Sequence, residues 1–167
     1  MSTLDELRAI HGQPSERVTE KVVPYMAEEV MEFIRLSPFA VLSTSNASGD
    51  CDASPRGGLP GFVKILDERT LLIPDIKGNR MFQSYENILS NGKAALLFLI
   101  PGNDRCARVN GRVRIVQKEE LLSLLPEEPE VQYHDDNTIL IQGLVLEVDE
   151  AYRHCPRAIR FGKLWGE

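Results

Sequence analysis

Between Phe39 and Val148 the chain is cut into short apolar and β-branched runs by clusters of turn residues, and few of the gaps are long enough to hold a helix. Parallel strands need a crossover of a dozen or more residues, usually helical, so this pattern excludes a regular doubly wound sheet. The runs are Phe39 to Thr44, Cys51 to Pro55, Phe62 to Leu66, Thr70 to Ile73, Ala94 to Ile100, Val109 to Ile115 and Thr138 to Val148. Asn46, Ser48 and Gly49 separate the first pair, and Asp67, Glu68 and Arg69 part the third from the fourth, which is hairpin chemistry. Val109, Gly111, Val113 and Ile115 alternate with Asn110, Arg112 and Arg114, predicting a strand with one wet face. The unbroken run Ala94 to Ile100 predicts a strand buried on both faces, and Thr138 to Val148 a central one. The sum is a mainly β domain of six or seven strands in meander or Greek-key order, closing into a small or split barrel with peripheral helices.

Helical signals sit around this sheet. Thr3 and Glu6 have capping-box spacing, with Gly12 as the stop. Within residues 15–37, Met26, Val30, Phe33 and Ile34 share a face, and Pro24 is placed to start the better half. Phe82, Tyr85, Ile88 and Leu89 stripe a helix over 80–91 that Gly92 ends, and a short helix is predicted near 118–125. The expected organisation is an N-terminal helical extension over 1–37, a barrel over 38–150 and a basic C-terminal segment over 151–167.

A chain of 167 residues with 43% hydrophobic and 26% charged residues has the composition of one folded domain. Its net charge of -6 is the wrong sign for wrapping nucleic acid. No uncharged apolar run approaches the roughly 20 residues that span a bilayer, so the expectation is a soluble cytoplasmic protein with no membrane or nucleic-acid partner. Cys51, Cys106 and Cys155 form no Cys-x-x-Cys pair, and His11, His134 and His154 no His-x-x-x-His pair, so neither a disulfide framework nor a metal site is expected.

Two glycine-containing loops each carry an arginine: Ser54-Pro55-Arg56-Gly57-Gly58 and Lys77-Gly78-Asn79-Arg80. Exposed backbone amides beside a guanidinium fork suit a phosphate, and the second loop opens a helix whose dipole favours an anion. Either loop alone reads equally as an ordinary turn with a solvated arginine. Two more basic groups, Arg105, Arg108, Arg112 and Arg114 along one strand and Arg153, Arg157, Arg160 and Lys163 near the C-terminus, read either as a surface balancing the acidic stretch 119–136 or as part of a pocket for a phosphorylated ligand.

The segments Asp52-Ala53-Ser54-Pro55-Arg56-Gly57, Pro60-Gly61-Phe62-Val63, Leu72-Ile73-Pro74-Asp75, Gly78-Asn79-Arg80, Asn87-Ile88-Leu89, Leu97-Phe98-Leu99-Ile100-Pro101-Gly102 and Arg108-Val109-Asn110-Gly111 follow one another in order. Together they resemble the pyridoxamine 5'-phosphate oxidase-like, FMN-binding split-barrel family, in its uncharacterised bacterial branch. The resemblance implies a six-stranded split barrel and a homodimer holding FMN in clefts between subunits. By position it places Ser54, Pro55, Arg56 and Gly57 at the cofactor phosphate, Ile73, Pro74 and Asp75 near the ribityl chain or ring edge, and Asn79 and Arg80 again at the phosphate. Arg160, Lys163 and Trp165 are the counterparts of C-terminal residues that reach the flavin of the partner subunit.

The ending Leu164-Trp165-Gly166-Glu167 lacks the Arg-Leu-x-Pro sequence with which the biosynthetic oxidase holds its substrate, so oxidation of pyridoxamine phosphate is not supported. The implied activity is an FMN-dependent oxidoreductase, the flavin carrying the redox step while Arg56 and Arg80 neutralise its phosphate. The other reading is a non-catalytic barrel that binds or senses flavin, haem or a phosphorylated metabolite.

Overall fold

The computed structural model describes residues 3–78, 80–127 and 138–166. Strands β1 (Phe39–Ser45), β2 (Cys51–Gly57), β3 (Lys64–Asp67), β4 (Thr70–Ile76), β5 (Lys93–Leu99), β6 (Cys106–Gln117) and β7 (Leu140–Arg153) form one sheet in the order β2-β1-β5-β6-β7-β4-β3. Every pairing is antiparallel. The spine is β6 on β7, which pair from Ala107↔Arg153 to Gln117↔Gln142 with a bulge between Asn110 and Gly111. The count is seven where the family resemblance implied six; it includes β3, a four-residue edge strand held only by β4.

The curled sheet encloses Leu42, Ile73, Leu96, Phe98, Leu144 and Leu146, all buried. Helix α3 (Glu28–Leu36) adds Val30, Phe33 and Ile34 to this core, a three-residue and four-residue spacing that keeps its glutamates outside. Full burial of one such side chain is worth about 1.5–3 kcal/mol, so one face of a nine-residue helix suffices to hold it in place. A smaller cluster of Leu72, Val116, Leu121, Leu140 and Val145 sits under α5 (Lys118–Ser123).

Several sequence expectations shift by a few residues for identifiable reasons. Thr3 and Glu6 do form the capping box of α1 (Leu4–His11). The segment 15–37 is not one helix but α2 (Glu16–Glu20), an extended strap and then α3. In the strap Val23 bridges to Ala151, and the Met26 amide donates to the Glu68 carbonyl at 2.7 Å, so tertiary pairing displaces the helix start from Pro24 to Glu28. The helix expected from residue 80 begins as α4 (Gln83–Asn91), because Arg80 and Phe82 both occupy the left-handed region at φ 65° and 56°. β5 buries Ala94, Leu96 and Phe98, while Ala95, Leu97 and Leu99 on its other face are half-buried, so only one face of this strand is fully covered. β7 runs three residues past the expected barrel end at 150. Asn79, His134 and most of the acidic stretch 127–136 lie outside the described residues.

Two prolines interrupt strands where the ladder does not need their nitrogen. Pro55 lies in β2, at one edge of the sheet. Pro74 pairs with Gly143 of β7, beyond the point where β3 last meets β4 at Leu72, so its other side is also an edge.

Candidate ligand cleft

β2 and β4 are separated by four strands in the sheet order, yet the curl of the sheet brings them face to face. Alternation along β2 turns Asp52, Ser54 and Arg56 to the half-buried side and leaves Cys51, Ala53, Pro55 and Gly57 exposed. Across the split, Arg56 Nη1 donates to Asp75 Oδ1 of β4 at 2.6 Å, with side-chain exposures of 18% and 13%. The other oxygen of Asp75 accepts from the Tyr85 hydroxyl of α4. Ser84, one residue earlier, donates from its Oγ to Asp52 Oδ2 at 2.6 Å. Asn87 Nδ2, a turn further on, donates to Thr44 Oγ1 of β1 at 3.0 Å, so α4 is tied by side chains to both walls.

This network shifts the Tyr85 phenol. Burial raises its pKa most, and the charge of Asp75 together with the hydrogen bond to it raises it further, so the hydroxyl stays protonated well above the ordinary tyrosine range. Arg56 Nε is buried and has no partner among the described residues. Phe82 meets Tyr85 edge to face, with centroids 5.9 Å apart.

The open side of the network is a cleft of about 910 Å³, within the range of small-molecule and cofactor sites. β2, the loop 58–62, the end of β4 and residues 77, 78 and 80–85 make its walls. Phe62, Pro74, Met81, Phe82 and Ile141 supply apolar surface, while Lys77 and Arg80 supply positive charge. Among the described residues neither cation has an ion-pair partner. Arg80 holds its side chain at the cleft from a left-handed backbone, a conformation that costs a non-glycine residue about 1 kcal/mol or more.

The loop glycines have a packing explanation. A Cβ at Gly58 would lie 2.8 Å from the Phe62 Cβ, and Gly61 has φ 75° with the Arg35 carbonyl 3.0 Å from where its Cβ would be. These two shape the wall that Phe62 completes.

Of the residues expected at a site, Ser54, Pro55, Arg56, Gly57, Pro74, Asp75 and Arg80 all line this one cleft. Ile73 does not; strand alternation sends it into the core, 1% exposed. Arg160, Lys163 and Trp165 lie elsewhere in the same chain. Arg160, in α6 (Arg157–Phe161), pairs with Asp104 at 2.5 Å, and Trp165 Nε1 donates to the Asn103 carbonyl at 2.8 Å, both in the β5–β6 turn. Lys163 follows α6 in a left-handed turn. Their expected role concerns the flavin of a second subunit, which one chain does not test. The cleft also takes in Lys77 of the second expected loop, and it recruits Asp52, Ser84 and Tyr85, to which sequence reasoning gave no role. Tyr85 reads as a core residue on the apolar stripe of α4; its hydroxyl, the one polar tip on that stripe, was the available signal.

No functionally curated protein matches the chain. Among solved structures it resembles HupZ from Group A Streptococcus, at 15% identity and TM-score 0.54 over 77% of this chain and 93% of that one. A candidate pyridoxamine 5'-phosphate oxidase from Lactobacillus delbrueckii gives 19% and 0.55, over 78% and 95% of the two chains. An FMN-binding protein from Syntrophomonas wolfei gives 15% and 0.53, over 77% and 88%. At such identities the likeness is one of fold, that of the split barrel. The family assignment comes from the sequence profile for pyridoxamine 5'-phosphate oxidase, which matches residues 26–152. Because that match runs from the strap before α3 to the end of β7 and takes in every strand, the chain belongs to the pyridoxamine 5'-phosphate oxidase family.

Proposed function

We propose that the protein is an FMN-binding flavoprotein that works as an FMN-dependent oxidoreductase, passing a hydride or electrons between a small-molecule substrate or NAD(P)H and the flavin. The observation that carries this reading is convergence: two glycine-arginine segments about twenty residues apart in the chain, the first the end of β2 rather than the expected loop, open onto one cleft. The cleft's residues fit the cofactor. Lys77 and Arg80, without carboxylate partners among the described residues, would hold the phosphate, and the orphaned Arg56 Nε offers a further donor. Phe62, Met81 and Phe82 give apolar surface for a planar ring. Bound FMN would supply the redox chemistry, and the chain's part is to bind, orient and neutralise.

A homodimer belongs to the proposal. Val41, Ala95, Leu97 and Leu99 form a half-exposed strip on the outer side of β1 and β5, the kind of apolar surface a second copy covers. Arg160, Lys163 and Trp165 would then approach the partner's flavin. The test is an absorption spectrum of the purified protein with added FMN, beside its mass by light scattering. A flavin spectrum that bleaches on reduction, in a particle of two chains, is the expected result; colourless protein that takes up no FMN sinks the reading.

One observation favours a carrier or sensor over an enzyme: both acids of the cleft are engaged, Asp75 by Arg56 and Tyr85, and Asp52 by Ser84. Rapid reoxidation that depends on an added substrate, or reduction by NADH or NADPH, separates the enzyme from the carrier.

A further inference from the structure

Basic residues crowd β6 and the C-terminal end of the chain, and the fold sorts them. Arg112 pairs with Glu147 and Asp149, Arg114 with Glu120, and Arg160 with Asp104. Among the described residues Arg108 and Arg153 have no carboxylate, and the strap before α3 brings Lys21, equally without one, to the same place. There Lys21 and Arg108 gather around one aromatic ring. Lys21 Nζ is 5.0 Å and Arg108 Cζ 5.4 Å from the centroid of Tyr152, which lies directly across β6 from Arg108. His154 packs on the same ring at 4.8 Å. Lys21 Nζ also donates to the Arg153 carbonyl at 3.3 Å, and the Arg153 guanidinium lies over Phe33.

Two further features point to a missing ligand. His154 Nε2 is buried with no hydrogen-bond partner among the described residues. Burial lowers the His154 pKa most, and the nearby charges of Arg108 and Lys21 lower it further. Gathering like charges without a counter-ion is costly, and in an acidic chain carboxylates are abundant; leaving them out of this one place is tolerable where an anion from outside fills it.

We propose that Lys21, Arg108 and His154, arranged on the ring of Tyr152, form a second anion-binding site that takes a phosphate or carboxylate carried on a planar ring. Ten residues of β7, about 30 Å of extended strand, separate Tyr152 from Gln142 at the cleft end, so the two sites of one chain do not share a ligand. The ring-borne anion has two sources, a free metabolite or a group on the ligand in a second copy's cleft, and the chemistry is the same for both. The first source is independent of the flavin proposed for the cleft, and the second rests on it.

The probe is phenyl phosphate, titrated into the full-length protein by calorimetry while the His154 imidazole is followed by NMR, its signal assigned with His154→Gln. Phenyl phosphate should raise the His154 titration midpoint and bind more tightly than inorganic phosphate, and phenol should not bind. Lys21→Ala and Arg108→Ala should each weaken binding about tenfold, the scale of one charge-assisted contact. Tyr152→Leu should erase the preference over inorganic phosphate. Lys21 is exposed, so its variant keeps the fold even if Arg108→Ala does not. Binding that persists with FMN saturating and in Arg80→Ala identifies a free metabolite; FMN alone shifting His154 identifies the ligand of a second copy. A His154 signal that ignores both phenyl phosphate and FMN, or equal affinity in Lys21→Ala, overturns the proposal.

Discussion

At the cleft both lining carboxylates have found donors within the chain: Asp75 is shared by Arg56 and Tyr85, and Asp52 is held by Ser84. At the far end of β7 the reverse holds, with Lys21, Arg108 and Arg153 stacked on aromatic faces and facing no acid among the described residues. The Arg56–Asp75 pair is neutral and joins two strands that share no backbone hydrogen bonds, so its charges serve the fold. The second arrangement touches the strap and α3, which the Val23 bridge to Ala151 and the packing of Phe33 already hold against β7. The paired charge is accounted for by the fold, and the unpaired charge is what the proposed second site draws on.

The comparison breaks first if Arg56 proves dispensable. Arg56→Ala leaves Asp75 mostly buried without its cation and should cost about 2–3 kcal/mol in a urea unfolding curve, somewhat below the figure for a fully buried pair. No loss would mean that the split is held by packing alone. Arg80→Gly comes next and should move two quantities in opposite directions. Relief of the left-handed backbone should stabilise the fold by about 1 kcal/mol. FMN affinity, measured by fluorescence titration, should fall by about 1.5–3 kcal/mol as the phosphate contact is lost.

Tyr85 gives a pH test. Its folded pKa is raised above the unfolded value of 10.0, so the folded state keeps the proton longer, and the stability it contributes is complete below pH 10 and is lost as pH climbs further. Followed at 295 nm, Tyr85 should ionise only as the protein unfolds in alkali, and Tyr85→Phe should flatten the alkaline loss of stability. The smallest effect is at the other end of β7. His154 is depressed, so the folded state binds fewer protons there, and stability should decline as pH falls below the ordinary histidine value of 6.5. Lys21→Ala should shift the His154 midpoint upward in an NMR titration, and an unmoved midpoint would remove Lys21 from the cluster.

Much of this was legible in the residues. Seven strand positions, the capping box at Thr3 and the Gly92 stop follow from local chemistry, which acts over a few residues and leaves its mark there. Arg56 and Arg80 could be paired in one site only through the family resemblance, since no local rule says that β2 and β4 meet. The tie from Asp75 to Tyr85 and the gathering at Tyr152 are contacts between distant segments and have no periodicity to read. The strap at Val23 is likewise set by what the ends of β7 and β3 present to it, against a sequence that reads as helix.

Pro55 and Pro74 stand on the two lips of the split. A free strand edge is a row of unpaired donors and acceptors that recruits any extended segment within reach, including the opposite lip of its own sheet or a neighbouring molecule. Each proline removes a donor from that row and fixes φ. Each lip beside the cleft is thus one donor short of a continuous edge, which makes pairing across the opening or with a neighbour weaker there than an uninterrupted strand would allow.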